Sequence, residues 1–252
     1  MSITPGGKRF RGDVRLNVGL PDGSQSGFLP AQNATSFVIS VPEGETISRV
    51  SKMRDTAGQV FDETGDTPPH ELQVTFDGFT GSLLATAFNG SEGGYDLAAK
   101  TGETVDVIAA IGGGVRVGAY NISNVTVTDA TEQTTYEVDV DYQVESRLGL
   151  IRALPGGDIA DGDALKVTYD SAKNDGTQIR GAVVSEITTE IVFDGIDMVS
   201  GQPVIIEFDK VVLRGSGDFD FLSDEFNTVE MTGTCQTLEG ASEPYRMLFP
   251  NQ

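Results

Sequence analysis

The chain of 252 residues carries 38 Asp and Glu against 17 Lys and Arg, a net charge of −21, with one His, one Cys and no Trp. So acidic a chain offers no basic face for nucleic acid, and one Cys beside one His forms neither an internal disulfide nor a Cys/His zinc site. Its 38% of hydrophobic residues can offset chain entropy, and its length fits one large all-β domain or one domain with a substantial insertion.

The opening residues through Gly12 include Lys8, Arg9 and Arg11, but no apolar run follows them. This predicts no secretory leader. No stretch approaches the ~18 apolar residues of a membrane span, and the most apolar one, Val105 to Val117, is broken by Gly112, Gly113 and Gly114. A product of a cytoplasm that stays in solution is expected.

A strand opens at Arg11 to Val18, and Pro21-Asp22-Gly23 forms a turn. A second strand spans Phe37 to Val41. Residues 42–69 then read as a long irregular stretch, of a kind uncommon in compact domains. It holds Arg49, Lys52 and Arg54, followed by Asp55, Asp62, Glu63 and Asp66. This is either a solvated surface loop or a contact arm that meets an acidic surface on another copy.

Leu72, Val74 and Phe76 alternate with Glu71, Gln73, Thr75 and Asp77, the pattern of a strand with one buried face. Phe79 to Asn89 predicts the single helix. Phe79, Leu83, Leu84, Ala87 and Phe88 fall on one face, and Gly90 suits a left-handed cap. Gly81 costs this helix roughly 0.5–1 kcal/mol relative to Ala, so packing must stabilise it.

Residues 96–176 either form a small β insertion or supply further strands of the main domain. Alternation predicts strands at Tyr136 to Val144 and Leu165 to Tyr169. Turns are expected at Pro155-Gly156-Gly157, Asp161-Gly162-Asp163 and Asn174-Asp175-Gly176. Val183, Ile187, Ile191 and Phe193 then alternate with Glu186, Thr188 and Glu190. Cys235 ends the strand-like run from Val229 and reads as a small buried residue. The spacing of strands and turns predicts a sandwich or barrel rather than βαβ units.

Catalytic constellations are sparse. His70 beside Pro68-Pro69 reads as structural, and no Ser-His-Asp or Cys-His arrangement forms without it. Among 38 acids, pairs such as Asp139/Asp141 and Asp218/Asp220 are expected on strand faces by number alone. Asp218 to Glu225 departs from a calcium loop, because Ser223 and Val229 stand where Gly and Glu are needed. Asp158, Asp161 and Asp163 read as hairpin residues. Gly112 to Gly114 with Gly118 lack the Lys-Ser/Thr of a phosphate loop. No enzyme activity, metal or cofactor is expected.

The order of segments carries a resemblance. Arg11-Gly-Asp-Val-Arg-Leu-Asn-Val18 comes first, then the charged stretch and the strand Glu71 to Asp77, then the lone helix ending Ala87-Phe-Asn-Gly90. Later stand Tyr136-Glu-Val-Asp-Val-Asp-Tyr142, Gly149-Leu-Ile-Arg and Ile159-Ala-Asp-Gly-Asp-Ala-Leu-Lys-Val-Thr-Tyr169. The chain closes with Glu207-Phe-Asp-Lys-Val-Val-Leu213, Gly217-Asp-Phe-Asp-Phe-Leu-Ser-Asp-Glu225 and Val229-Glu-Met-Thr-Gly-Thr-Cys235. Over most of its length this layout resembles the tail tube (major tail) proteins of long-tailed, siphovirus-type bacteriophages.

The resemblance implies a virion structural protein. Two packed antiparallel sheets, a β-sandwich or partial barrel with one flanking helix, would join five other copies in a hexameric ring. Strands of the six copies would close into one shared β-barrel, and rings would stack into a tube through which the genome passes. By position, residues 42–69 match the loop that reaches the neighbouring ring, with Arg49, Lys52, Arg54, Asp55, Asp62 and Glu63 as its contact residues. The implied partners are further copies of the chain, a tape measure protein, a tail terminator and baseplate or distal tail proteins. Assembly would take place in the host cytoplasm; the resemblance leans toward a flexible tail without a sheath, while the sequence itself leaves the sheath open.

Acidity fits this role, since a wall of carboxylates repels a passing phosphate backbone. Glu71, Asp77, Glu186 and Glu190 are the candidate lumen-facing acids, although alternation alone does not say which face is lumen. Two other classes stay open. One is a capsid decoration or head–tail connector protein. The other is a carbohydrate-binding or adhesin module, whose mark would be clustered exposed aromatics.

Overall fold

The computed structural model describes residues 6–20, 23–66 and 68–250. Pro21 and Asp22 of the first expected turn lie outside the described residues, as do residues 1–5 of the opening segment. Antiparallel strands dominate, and among the described residues there is one helix. The first elements are β1 (Phe10–Gly19), β2 (Gln25–Phe28), β3 (Ala34–Ser40), β4 (Thr46–Val50), β5 (Val60–Gly65), β6 (Glu71–Phe76), α1 (Gly81–Ala87) and β7 (Ser91–Leu97). Next come β8 (Lys100–Ile108), β9 (Gly114–Arg116), β10 (Ile122–Asp129), β11 (Tyr142–Glu145), β12 (Leu150–Ala153), β13 (Ala164–Ser171) and β14 (Asn174–Arg180). The last are β15 (Ile187–Asp197), β16 (Pro203–Ser216), β17 (Val229–Cys235) and β18 (Arg246–Leu248).

The chain divides into two compact units. One comprises Met1–Gly93 with Ile179–Gln252, and the other, Gly94–Gln178, interrupts it in sequence.

The first unit is built on one sheet in the order β2-β1-β15-β16-β17-β6-β3, with β18 also on β16. Its strands form where the sequence alternates. Val14, Leu16 and Val18 of β1, Leu72, Val74 and Phe76 of β6, and Val229, Met231 and Cys235 of β17 all point into one core. Burial pushes the Cys235 thiol up to about 11. Phe37 of β3 stacks on Phe193 of β15 at 5.3 Å and meets Phe208 of β16 edge-on at 5.9 Å. The sheet therefore curls until its two ends share the core.

Of the expected β-sandwich or partial barrel, this unit takes the second form, one curled open sheet in place of two separate ones. β16 is 14 residues long and stays paired with β15 from Pro203 to Leu213, while its other edge passes from β18 to β17. A register shift between Thr189 and Ile191 lets the pair bend without breaking. The ends β2 and β3 do not pair with each other, so no barrel closes among the described residues.

α1 packs on β16 and β17. Thr80 caps it by accepting from the Leu83 amide. The helix is shorter than expected, and Leu83, Ala85 and Thr86 are its buried residues. Phe88 stays partly exposed and Asn89, with φ 47°, takes the left-handed conformation expected of Gly90. Gly90 is required for another reason: a Cβ there would lie 2.3 Å from the Arg180 carbonyl oxygen.

The second unit packs two three-stranded sheets, β10-β13-β8 and β11-β12-β9, around Val107, Val127, Tyr142, Ile151, Leu165, Val167 and Tyr169. The Tyr169 hydroxyl donates to the Val117 carbonyl at 3.2 Å. Of the strand expected at Tyr136 to Val144, only the part from Tyr142 is extended. The Asp141 carboxylate is buried and accepts from the amides of Glu137 and Asp158, both at 2.8 Å. These bonds offer the backbone an alternative to a ladder, and they hold the carboxyl below the usual range. Val138 and Val140 are left exposed. The turn expected at Asn174-Asp175-Gly176 is instead the start of β14, which pairs with β7. Val183 is exposed ahead of β15.

A buried carboxylate fastens the β15–β16 turn. Asp197 accepts from the Ser200 hydroxyl at 2.5 Å, the Lys8 ammonium at 2.9 Å, and the amides of Val199 and Arg9 at 3.1 and 3.2 Å. The Ser200 hydrogen bond first, then Lys8, hold its carboxyl well below the usual range, against the opposing effect of burial. A depressed folded pKa contributes stability that is full above the unfolded value of about 3.9 and is lost progressively as pH falls from there through the lower folded value. Thermal unfolding followed by circular dichroism is expected to show a melting temperature that drops below about pH 5. Asp197→Asn should melt lower at neutral pH and flatten that drop. Parallel curves for the two proteins would rule out this role.

Candidate assembly surfaces

β4 and β5 form an antiparallel ribbon in which Ser48 faces Glu63 and Arg49 faces Asp62. The stretch read as irregular is thus a hairpin. Every residue of both strands is exposed, so neither face needs to be apolar and no alternation marks the strands. The turn is held by Ser51, which is buried and bonded to the Thr56 hydroxyl at 2.7 Å, and by Gly58 at φ 88°. A two-stranded ribbon alone is marginally stable in water. This one nevertheless presents Ile47, Val50, Met53, Val60 and Phe61 to solvent.

All six contact residues expected from the sequence lie on this hairpin. Arg49 pairs with Asp62 at 2.5 Å and lies over the Phe61 ring at 5.4 Å. Arg54 pairs with Asp55 at 2.9 Å. Lys52 and Glu63 are exposed and make no ion pair among the described residues. Two of the three cations therefore already have partners within the chain.

The four acids proposed from alternation share one side of the large sheet. Register links Thr188 to Val212, Val212 to Thr234, Thr234 to Glu71, and Glu71 to Ser40 across five strands. These positions face away from the core. Glu190 has the parity of Thr188 and accepts from Asn17 at 2.9 Å. Glu186 lies just before β15, 3.6 Å from Arg214. Asp77 follows β6 and accepts from the Asn33 amide at 2.6 Å. Asp13, Asp194 and Glu230 belong to the same side by register. They were missed because each falls in a run read for its apolar partners; the alternation of Val229 to Cys235 was sufficient to find Glu230. Arg15, between Asp13 and Asp194 at 3.8 and 3.9 Å, and Arg214 offset part of this charge.

In the second unit a cavity of about 680 Å³ is lined by Tyr95, Tyr120, Asn121, Arg147, Asn174 and Gln178. The Tyr95 hydroxyl donates to Asn174 at 3.2 Å.

The titratable groups singled out in the sequence occupy structural positions. The His70 Nδ1 lies 2.8 Å from the Tyr245 hydroxyl. Asp139 occupies a left-handed position at φ 64°, and Asp220 accepts from the Leu222 amide at 2.8 Å. Among the described residues no group of three or more His, Cys, Asp or Glu is arranged to hold a metal ion, and no helix is long and apolar enough to cross a membrane.

The fold thus defines a mainly β protein with a curled sheet, a β unit interrupting it and a projecting hairpin. Residues 10–238 match the family model described as protein of unknown function UCP028589, and the chain belongs to that family. None of the curated proteins gives a significant match.

Proposed function

We propose that the protein is a virion structural protein that forms six-membered rings stacking into the tail tube of a long-tailed bacteriophage. The observation that carries this reading is the β4–β5 ribbon, fully exposed and carrying both apolar side chains and a cluster of charges of both signs, on a curled sheet whose terminal strands do not pair with each other. Open edges invite pairing with another chain, and closure into a shared barrel removes them. The ribbon reaches the next ring, and Arg49, Lys52 and Arg54 pair there with its acids. The acidic side bearing Glu71, Asp77, Glu186 and Glu190 lines the lumen and repels the phosphate backbone, so DNA slides without binding. The role involves no reaction and no cofactor. The tape measure, tail terminator and distal tail proteins are the other partners.

Negative-stain electron microscopy across a concentration series, with light scattering, tests this reading. Hollow tubes or stacked six-fold rings are expected. A stable trimer or a single closed ring would favour a decoration or connector protein. Reversing Glu71, Asp77, Glu186 and Glu190 to Lys is expected to leave virions assembled but to block most DNA ejection. Normal infectivity of such virions would refute a lumenal barrier.

A further inference from the structure

The two ends of β16 carry complementary surfaces. Past its C-terminal end, Phe219 is seated 5.7 Å from both Phe79 and Phe88, and Phe221 lies 4.7 Å from Phe219. This aromatic cluster anchors the loop but leaves its outer residues in water: Phe221, Leu222 and Phe226 are 75%, 93% and 98% exposed. Three large apolar side chains exposed within one short loop mark a contact surface. Asp218, Asp220, Asp224 and Glu225 surround them, and none of the four makes an ion pair among the described residues.

Near the N-terminal end of β16 lies a cleft of about 620 Å³ between β1 and β3. Phe10, Val14, Phe37, Ile206 and Met247 give it an apolar lining, and Arg11 stands at its rim. The cleft exists because β2 pairs with β1 only at Asn17 and Gly19 and the following segment bonds to Leu16 and bridges Val14 through Gln32, so only Phe10 to Asp13 of β1 have no neighbour on that side. Arg9 and Arg11 are exposed and make no side-chain ion pair among the described residues. One surface is therefore apolar with uncompensated acids, and the other is an apolar recess with uncompensated cations.

Ile206 and Ser216 are ten residues apart on β16, about 33 Å at the usual strand rise. With Phe219 pinned at the far end, a chain cannot fill its own cleft. The match is met only by a second copy, in a head-to-tail contact that generates a ring or a filament.

We propose that the loop around Phe221, Leu222 and Phe226 of one copy seats in the β1–β3 cleft of the next, with Asp224 and Glu225 facing Arg9 and Arg11. This rests on the reading that the protein assembles with itself, but it uses surfaces other than the hairpin. It also supplies a neighbour for Phe10 to Asp13, the part of β1 that lacks one.

The test uses full-length chains carrying Arg49→Glu, Lys52→Glu and Arg54→Glu, so that hairpin contacts are removed. In that background the chain is expected to associate with rising concentration in sedimentation velocity. Adding Phe221→Ser, Leu222→Ser and Phe226→Ser removes the loop's apolar side chains, and adding Arg11→Glu with Met247→Glu blocks the cleft. All five positions are exposed, so circular dichroism and melting should be unchanged. Each variant alone is expected to stay monomeric, weakened at least tenfold. Mixed, the two should form a 1:1 dimer and nothing larger, since each keeps one working half. Association that neither variant weakens, or a mixture that gives no dimer, overturns the loop–cleft contact. Hollow tubes formed by an otherwise native chain with the three Ser substitutions would overturn it too, while leaving the tube reading intact.

Discussion

Chains carrying Arg49→Glu, Lys52→Glu and Arg54→Glu are expected to fold normally and to form no tubes. The monomer loses little. Its two affected ion pairs, Arg49–Asp62 and Arg54–Asp55, have both partners largely in solvent, and exposed pairs contribute about 0–1 kcal/mol each. The melting temperature should therefore shift by no more than roughly 8 °C. The assembly loses much more. Each small contact is repeated around every ring, and reversal turns each attraction into repulsion by an acidic neighbour. The weakness of the intrachain pairs helps assembly, because Asp62 and Asp55 release their cations at little cost when a better partner arrives. Electron microscopy beside thermal melts separates the two effects. Tubes of normal length from a normally folded variant would count against the hairpin as the stacking element. Contacts of this kind are also screened, with a Debye length near 10 Å at 0.1 M salt, so native tubes should form less readily as salt is raised.

The same hairpin shows why part of the molecule was hidden in its sequence. Alternation reports the burial of one face. Leu72, Val74 and Phe76 were legible because they enter the core opposite a wet face. So were Leu165, Val167 and Tyr169. β4 and β5 bury neither face, so their sequence carries no period. Tyr136 to Val140 fail in the opposite way. Their alternation is real, but the buried Asp141 carboxylate organises the local backbone and overrides it. Gly176 is a third case. It reads as a turn residue, yet it sits within β14 with its Cα face against the Tyr95 ring, where an added Cβ would meet Cε1 at 3.3 Å. A glycine inside a strand often marks such a close approach.

The candidate surfaces divide along the same line. The acids Glu71 and Glu190 could be named from the sequence, since each alternates with core residues. Their common side could not, because it depends on register across β15, β16, β17 and β6. The cleft between β1 and β3 depends on pairing that stops short, which leaves no mark in composition. Phe221, Leu222 and Phe226 are visible as apolar residues, but only the structure leaves them outside the core.

Gly215→Ala is expected to be the most damaging single substitution on the large sheet. Gly215 lies in β16 opposite Met231, and its backbone is not left-handed, so Ala brings no dihedral penalty. The obstacle is steric. A Cβ at this position would lie 1.6 Å from the Ala87 carbonyl oxygen, 2.7 Å from its carbonyl carbon and 3.3 Å from its Cα. All three are backbone atoms at the end of α1, so no side-chain rotation relieves the overlap. The helix must lift from the sheet. With seven residues and no acid in its first turn, it has little stability apart from that packing. Overpacking of this kind costs about 3 kcal/mol, which lowers the melting temperature by roughly 6–12 °C in a chain of this size. Gly93→Ala is the control, since nothing lies within 4 Å of its added Cβ, and it should melt within about 2 °C of the native chain. The effect extends to assembly, because Phe88, next to Ala87, is one of the rings on which Phe219 and Phe221 rest. Lifting the helix end therefore loosens the loop that seats in the neighbouring copy. A Gly215→Ala chain should both melt early and self-associate less in the temperature range where it remains folded. Native melting together with native association would mean that α1 does not rest on β16 through this backbone contact.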